Sequence, residues 1–279
     1  MSYSNRFYPD SHIEIINASV EYGEIQHAIF DFDGTISLIR EGWQSVMIPM
    51  MVELLTGTPN HESDKEIQAT VTEFVDQLTG KQTIYQMINL SKEIEKRGGN
   101  PSDPIVYKQI YHDRLMNHIQ DRIDNLRTKT IQPPDMMVPG ALDILKSMQV
   151  RGVTCYLASG TDEIFVLEEA HMLGIPEYFK GIYGALDNYR DFSKKMVIDR
   201  IIKENQLDGN ELVAFGDGYV EIEDSKSVGG IAIGVACNEA TRQGVDKWKR
   251  SKLISAGADV IIPDFREHQK LVKLLFAEN

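Results

Sequence analysis

His27-Ala-Ile-Phe-Asp31-Phe-Asp33-Gly-Thr35 is the stretch whose reading decides this chain. An apolar strand breaks there into a glycine turn, and two carboxylates stand two residues apart at the break. Strand side chains alternate faces. A regular strand end would therefore put Asp31 and Asp33 on one side and turn Phe32 into packing. Such a pair can supply one group that attacks and one that moves a proton, with a cation between protein and substrate. Taken alone, the stretch reads equally well as an exposed turn after a core strand, because Asp-Gly is a common turn signal.

Outward from that stretch, the pattern is a sheet interrupted by helices. Residues 1–24 read as an N-terminal extension with a short edge strand within 13–20, and 25–30 reads as a buried strand. After Ile36 the apolar period lengthens, and 41–55, 64–78, 83–96 and 104–126 read as helices. Asn100-Pro-Ser-Asp-Pro104 breaks the chain before the last of these. The spacing of Ile105, Ile110, Tyr111, Leu115, Ile119, Ile123 and Leu126 predicts a packed face on it. Pro133-Pro134 marks a boundary, and from Met137 strands and helices alternate. The predicted strands are 153–158, 179–183, 212–215, 231–235 and 260–262, between helices at 141–149, 163–173, 195–205, 222–228 and 268–276. This recurrence predicts an α/β fold, a Rossmann-like parallel sheet covered by helices on both faces, with a helical cap domain inserted just beyond the acidic pair. The expected division is a core of 25–36 and 135–279 and a cap of 37–134. Ligands of open parallel sheets bind beyond the carboxyl ends of the strands, so the insertion would lie over the site.

The totals narrow the function classes. A chain of 279 residues with 42% hydrophobic and 25% charged residues can bury a substantial core. The formal charge of −13 argues against a nucleic-acid surface and leaves an anionic small substrate to be met by local cations. Cys155 and Cys237, each in an apolar run, read as buried thiols of a reducing, cytoplasmic compartment. No stretch approaches membrane-spanning length. The sequence carries no signal that chooses between monomer and homodimer.

Three later segments could join the acidic pair. Val153-Thr-Cys-Tyr-Leu-Ala-Ser159-Gly160-Thr161 ends a strand with a hydroxyl and a glycine, where Ser159 and nearby N–H groups could hold a phosphate oxygen. The bland alternative is a helix cap at Thr161 or Asp162. Lys194 and Lys195 precede a helical pattern, and either could neutralise phosphate or sit in solvent. Two unit charges about 4 Å apart interact by roughly 4 kcal/mol at an effective dielectric near 20, before desolvation. Leu212-Val-Ala-Phe-Gly-Asp217-Gly-Tyr-Val-Glu221 ends another strand, and its two acids, four apart, could face one cation. Mg2+ prefers hard oxygen ligands. A polar loop with capping acids is the competing reading.

Together these segments resemble the haloacid dehalogenase-like hydrolase superfamily, in particular its phosphatases with a helical C1-type cap that act on phosphoglycolate or sugar phosphates. Asp31-Phe-Asp33-Gly-Thr35 matches the first motif, Ser159 the second, Lys194 the third with Lys195 as competitor, and Gly216-Asp217-Gly-Tyr-Val-Glu221 the fourth. Glu221 stands where Asp is commoner, and the insertion is large for that cap type. The resemblance implies two-step hydrolysis of a small phosphorylated metabolite. Asp31 would be the nucleophile and Asp33 the general acid and base. Mg2+ would be held by Asp31, Asp33, Asp217 and Glu221, with Lys194 offsetting charge. Ser159, Phe32, Gly34 and Gly160 would position phosphate oxygens, and Thr35 would support the Asp33 turn. Arg40, Trp43, Lys81, Gln82, Tyr85, Asn238 and Glu239 are candidates for the leaving-group side, against ordinary roles in packing, surface and turns. The rivals are a phosphotransferase or phosphomutase acting on a sugar phosphate, and a non-catalytic metal-containing binding protein.

Overall fold

The computed structural model describes residues 7–186 and 188–278, so the first six residues of the expected extension lie outside the described residues. Seven strands form one sheet: β1 (Glu14–Ile15), β2 (His27–Phe30), β3 (Thr154–Asp162), β4 (Phe179–Ala185), β5 (Leu212–Gly216), β6 (Ile231–Val235) and β7 (Val260–Ile262). Their order is β1-β7-β6-β5-β2-β3-β4. All pairings are parallel except that of β1, which lies antiparallel on the edge of β7. The central strands β2, β5 and β6 are buried along their whole length, as a sheet covered on both faces requires.

The strand order explains why distant acids meet. From β2 the chain moves to β3 and β4 on one side, then returns to β5 on the other. The carboxyl end of β2 is thus a topological switch point, where a crevice opens. Phe30 is in register with Phe215 on β5 and Leu157 on β3. The Phe30 and Phe215 rings stack at 4.5 Å, and the Asp31 N–H donates to the Phe215 carbonyl at 2.9 Å. Asp31 and Asp217 therefore leave adjacent strand ends together, beside Ser159, which stands two residues past Leu157 within β3.

Between β2 and Pro133 lie four helices: α1 (Gln44–Thr56), α2 (Asp64–Gln77), α3 (Thr83–Lys96) and α4 (Pro104–Arg127). They form the inserted cap. Two starts have a local cause: the Ser63–Glu66 capping box of α2 and Asp103 followed by Pro104 in α4. The buried face of α4 runs through Tyr107, Tyr111, Leu115, Ile119, Ile123 and Leu126. Ile105 was expected on that face but is 51% exposed, because it lies off the i, i+4 row that begins at Tyr107. Met47, Met50, Met51 and Met87 are buried in the same packing.

In the core, α5 (Ala141–Val150), α6 (Glu163–Met172), α7 (Lys194–Asn205), α8 (Tyr219–Ser227), α9 (Lys247–Ser255) and α10 (His268–Leu275) cover the sheet. The strand at β3 runs four residues past its expected end, and α9 was anticipated only as a helix surface at Trp248-Lys-Arg250, without bounds. No helix of the described residues is long and apolar enough to cross a membrane.

Candidate active site

Asp31 is buried at the end of β2, and its Oδ1 accepts from the Phe32 N–H at 2.8 Å. Lys194 Nζ lies 2.7 Å from Asp31 Oδ1 and 2.9 Å from Glu221 Oε2. Ser193 caps α7 by accepting from the Met196 N–H, which fixes where Lys194 leaves the helix. Lys195 instead pairs with Asp199 on the surface, so of the two competitors it is Lys194 that reaches the acids. Glu221 also accepts from the Gly218 N–H at 2.7 Å, so both of its oxygens are engaged. Any Cβ at Gly216 would stand 2.1 Å from Glu221 Oε1, which explains the glycine at that strand end.

Asp33 occupies the opposite side. Its Oδ2 accepts from Ser159 Oγ at 3.1 Å and from Thr161 Oγ1 at 2.9 Å. Its Oδ1 is buried without a hydrogen-bond partner and lies 3.9 Å from Arg40 Nε. The Thr161 N–H donates to Ser159 Oγ, so the two hydroxyls form one clamp. Phe32 and Thr35 are fully buried beneath the turn. Gly34 has φ +76°, and a Cβ there would stand 2.3 Å from Asp217 Oδ2, so this turn admits only glycine on two counts.

Asp31, Asp217 and Glu221 can each offer an oxygen within 4.8 Å of the others. Burial is the strongest influence on Asp31 and pushes its carboxyl well above the usual range; Lys194 pulls it back, while Glu221 and Asp217 push it further. Asp217 and Glu239 are raised for the same first reason, opposed by Lys249. Burial lowers Lys194 and Lys249, but the carboxylates beside each outweigh it and hold both ammoniums protonated. Crowded hard oxygens that raise one another's proton affinity suit a small divalent cation.

A cavity of about 100 Å³ opens between this cluster and the cap. Core residues on its wall include Asp31, Asp33, Gly34, Ser159, Gly160, Lys194, Asp217 and Glu239; the cap and its hinge add Arg40, Trp43, Met47, Lys81, Gln86 and Tyr111. Arg40 is turned inward, 2.7 Å from the buried Glu169. Lys81 is exposed at the rim. Gly160 has no room for a side chain, since a Cβ would stand 2.7 Å from the Lys81 carbonyl oxygen. Gln82 is not on the wall. It joins cap to core by donating to the carbonyls of Tyr189 and Phe192 at 3.0 and 2.7 Å. Tyr85 packs edge-on against Tyr189. Asn238, expected at the mouth, is in a turn instead, where its Oδ1 accepts from the Thr241 N–H at 3.1 Å.

Sequence reasoning left out Thr161 as a partner of Asp33, Glu169 as the partner of Arg40, and Lys249. Lys249 Nζ lies 2.6 Å from Asp217 Oδ2 and 2.5 Å from Glu239 Oε1. In the sequence Lys249 sits in Trp248-Lys-Arg250, which reads as the surface of a helix. Two acids after two neighbouring strands, without a matching cation, were the available signal.

Comparison with known proteins agrees with this fold. The fold is similar to that of a β-phosphoglucomutase from Clostridium difficile, with a TM-score of 0.63 at 13% identity over 91% of this chain and 98% of that one. It is similar to a predicted phosphoglycolate phosphatase from Haemophilus somnus, with a TM-score of 0.59 at 13% identity over 89% and 98%. A haloacid dehalogenase-like family protein from Streptococcus pneumoniae gives a TM-score of 0.55 at 17% identity over 90% and 98%. No curated protein sequence matches. The sequence profile described as haloacid dehalogenase-like hydrolase matches residues 25–229, most of the chain and all four motif segments. With those segments gathered at one switch point, the chain belongs to the haloacid dehalogenase-like hydrolases and is an enzyme.

Proposed function

We infer that the protein is a Mg2+-dependent phosphomonoesterase that works through an aspartyl-phosphate on Asp31. One observation carries the reading: Asp31 is 2.7 Å from Lys194 and clustered with Asp217 and Glu221, while Asp33 is clamped by two hydroxyls on the other side. The Asp31 carboxylate attacks phosphorus, and the bond to the ester oxygen breaks. Asp33 gives its proton to that leaving oxygen, then takes a proton from the water that attacks the aspartyl-phosphate. Phosphate leaves and Asp31 is regenerated. Lys194 offsets charge on the transferred group, and Ser159 together with the N–H groups of Phe32 and Gly160 orients its oxygens.

Asp31, Asp217, the Asp33 carbonyl and Glu221, directly or through water, would hold the ion. When bound, Mg2+ neutralises charge between protein and phosphate. Because both Glu221 oxygens already have partners, its part through water is the better supported.

The core of 25–36 and 135–279 and the cap of 37–134 are the division we assign. A leaving group small enough for a cavity of about 100 Å³ is expected, met by Arg40, Lys81 and Gln86. Free thiols at Cys155 and Cys237 support a reducing, cytoplasmic setting.

A panel of phosphorylated sugars, phosphoglycolate and nucleoside monophosphates tests the reading. Phosphate release without any sugar acceptor, abolished by a chelator and restored by Mg2+, is the expected result. Turnover that requires a sugar acceptor would replace hydrolysis by transfer, and no turnover at all would leave a binding protein.

A further inference from the structure

Lys249 belongs to none of the four motifs, yet it ends inside the acid cluster. Its placement is built, not incidental. The Asp246 N–H donates to the Ala236 carbonyl at 2.8 Å and pins the start of α9 to the end of β6. Asp246 Oδ1 then caps the helix on the Lys249 N–H at 2.9 Å. From there the Lys249 side chain runs inward, while Arg250 turns away to pair with Glu14.

The consequence falls on one atom. Asp217 Oδ2 receives the ammonium at 2.6 Å and is backed by Gly34, where even a Cβ would stand 2.3 Å away. Glu239 Oε1 holds the same ammonium at 2.5 Å and stops it from swinging free. An ion shared with Asp31 therefore finds one of the two Asp217 oxygens already taken by an ammonium.

We propose that Lys249, tethered by Glu239, is a positioning residue that makes Asp217 a one-oxygen ligand and so selects Mg2+ over Ca2+. The inference rests on the metal-dependent reading above. Mg2+ accepts single oxygens and waters in a tight octahedron, whereas Ca2+ gathers six to eight oxygens and often takes both from one carboxylate. A carboxylate behind a ligand makes that ligand more basic. An ammonium does the reverse and weakens every divalent ion alike. Its charge therefore cancels in the ratio of the two affinities, and the blocked oxygen does not.

The test is calorimetric titration of the full chain, without substrate, with Mg2+ and separately with Ca2+. In Lys249→Met both ions should bind more tightly, and Ca2+ should gain about tenfold more than Mg2+. Lys249→Arg, which can still donate to Oδ2, should keep the wild-type ratio within about threefold. Equal gains for both ions in Lys249→Met would reduce the lysine to a charge and overturn the proposal while leaving metal dependence intact. Wild-type protein that binds neither ion would overturn both. If Lys249→Met does not fold, as judged by its melting transition, Glu239→Gln replaces it. Loosening the tether should lower the preference for Mg2+, and an unchanged ratio would again overturn the proposal.

Discussion

The cavity has two walls of different construction. The core wall comes from strand ends, and its charged groups have partners before any substrate arrives: Asp31 pairs with Lys194 and Asp217 with Lys249, while Asp33 accepts from the hydroxyls of Ser159 and Thr161. The cap wall comes from helices and a turn, and presents Trp43, Met47, Thr79, Thr83, Gln86 and Tyr111, with Lys81 at the rim. The first wall is set by sheet register, so its geometry cannot vary without disturbing the core. The second is a set of helix and turn side chains that no strand register fixes, although Met47, Gln86 and Tyr111 are also buried in the cap's own packing. Preorganised charge belongs to the chemistry, and replaceable shape to the choice of leaving group.

The sharpest way to break this contrast is Asp31→Asn. Loss of the nucleophile should reduce turnover on the order of 10⁴-fold or more. The same change should raise the melting temperature of the metal-free protein. Burial pushes the Asp31 carboxyl above its unfolded value, so its favourable contribution is present at low pH and lost as pH rises through the folded value. At neutral pH the carboxylate therefore costs stability, and asparagine removes that cost. Phosphate release in Mg2+ reads the turnover, and calorimetry in chelator across a pH series reads the stability. A variant that melts lower than wild type would mean that attraction to Lys194 outweighs desolvation.

Asp33→Asn comes next, with an expected loss of about 10²- to 10⁴-fold. The loss should be smallest for p-nitrophenyl phosphate, whose leaving group needs no proton, and largest for alkyl phosphates. An equal loss for both would remove Asp33 from the acid role. The smallest effect belongs to the cap wall. Gln86→Leu should alter the ratio of kcat/KM between two alkyl phosphates by about tenfold and leave p-nitrophenyl phosphate nearly unchanged. A uniform fall across substrates would show that the cap wall shares in the chemistry.

The contrast also explains what could be read in advance. Strand patterns such as Ile231–Val235 and Val260–Ile262 are legible because a strand buried on both faces must be apolar throughout. Asp31, Asp33 and Asp217 are legible because each follows such a run at a glycine turn. Lys249 was not, since Lys-Trp-Lys-Arg-Ser-Lys has no apolar period and one inward lysine among outward ones leaves no trace in one dimension. Arg40 and Glu169 meet across 129 residues, and only the packing of α6 beneath the cap brings them together. Asn238 went the other way: a polar residue after a strand serves a turn as readily as a pocket.

Gly160 carries a consequence for the fate of the phosphoryl group. The cap turn rests its Lys81 carbonyl where a methyl at position 160 would have to go. Alanine there would act as a wedge between the cap turn and the core, propping the mouth ajar. A single hydrogen at that seam thus sets how tightly the vessel seals, and with it how much bulk water surrounds the phosphoryl group while it is transferred.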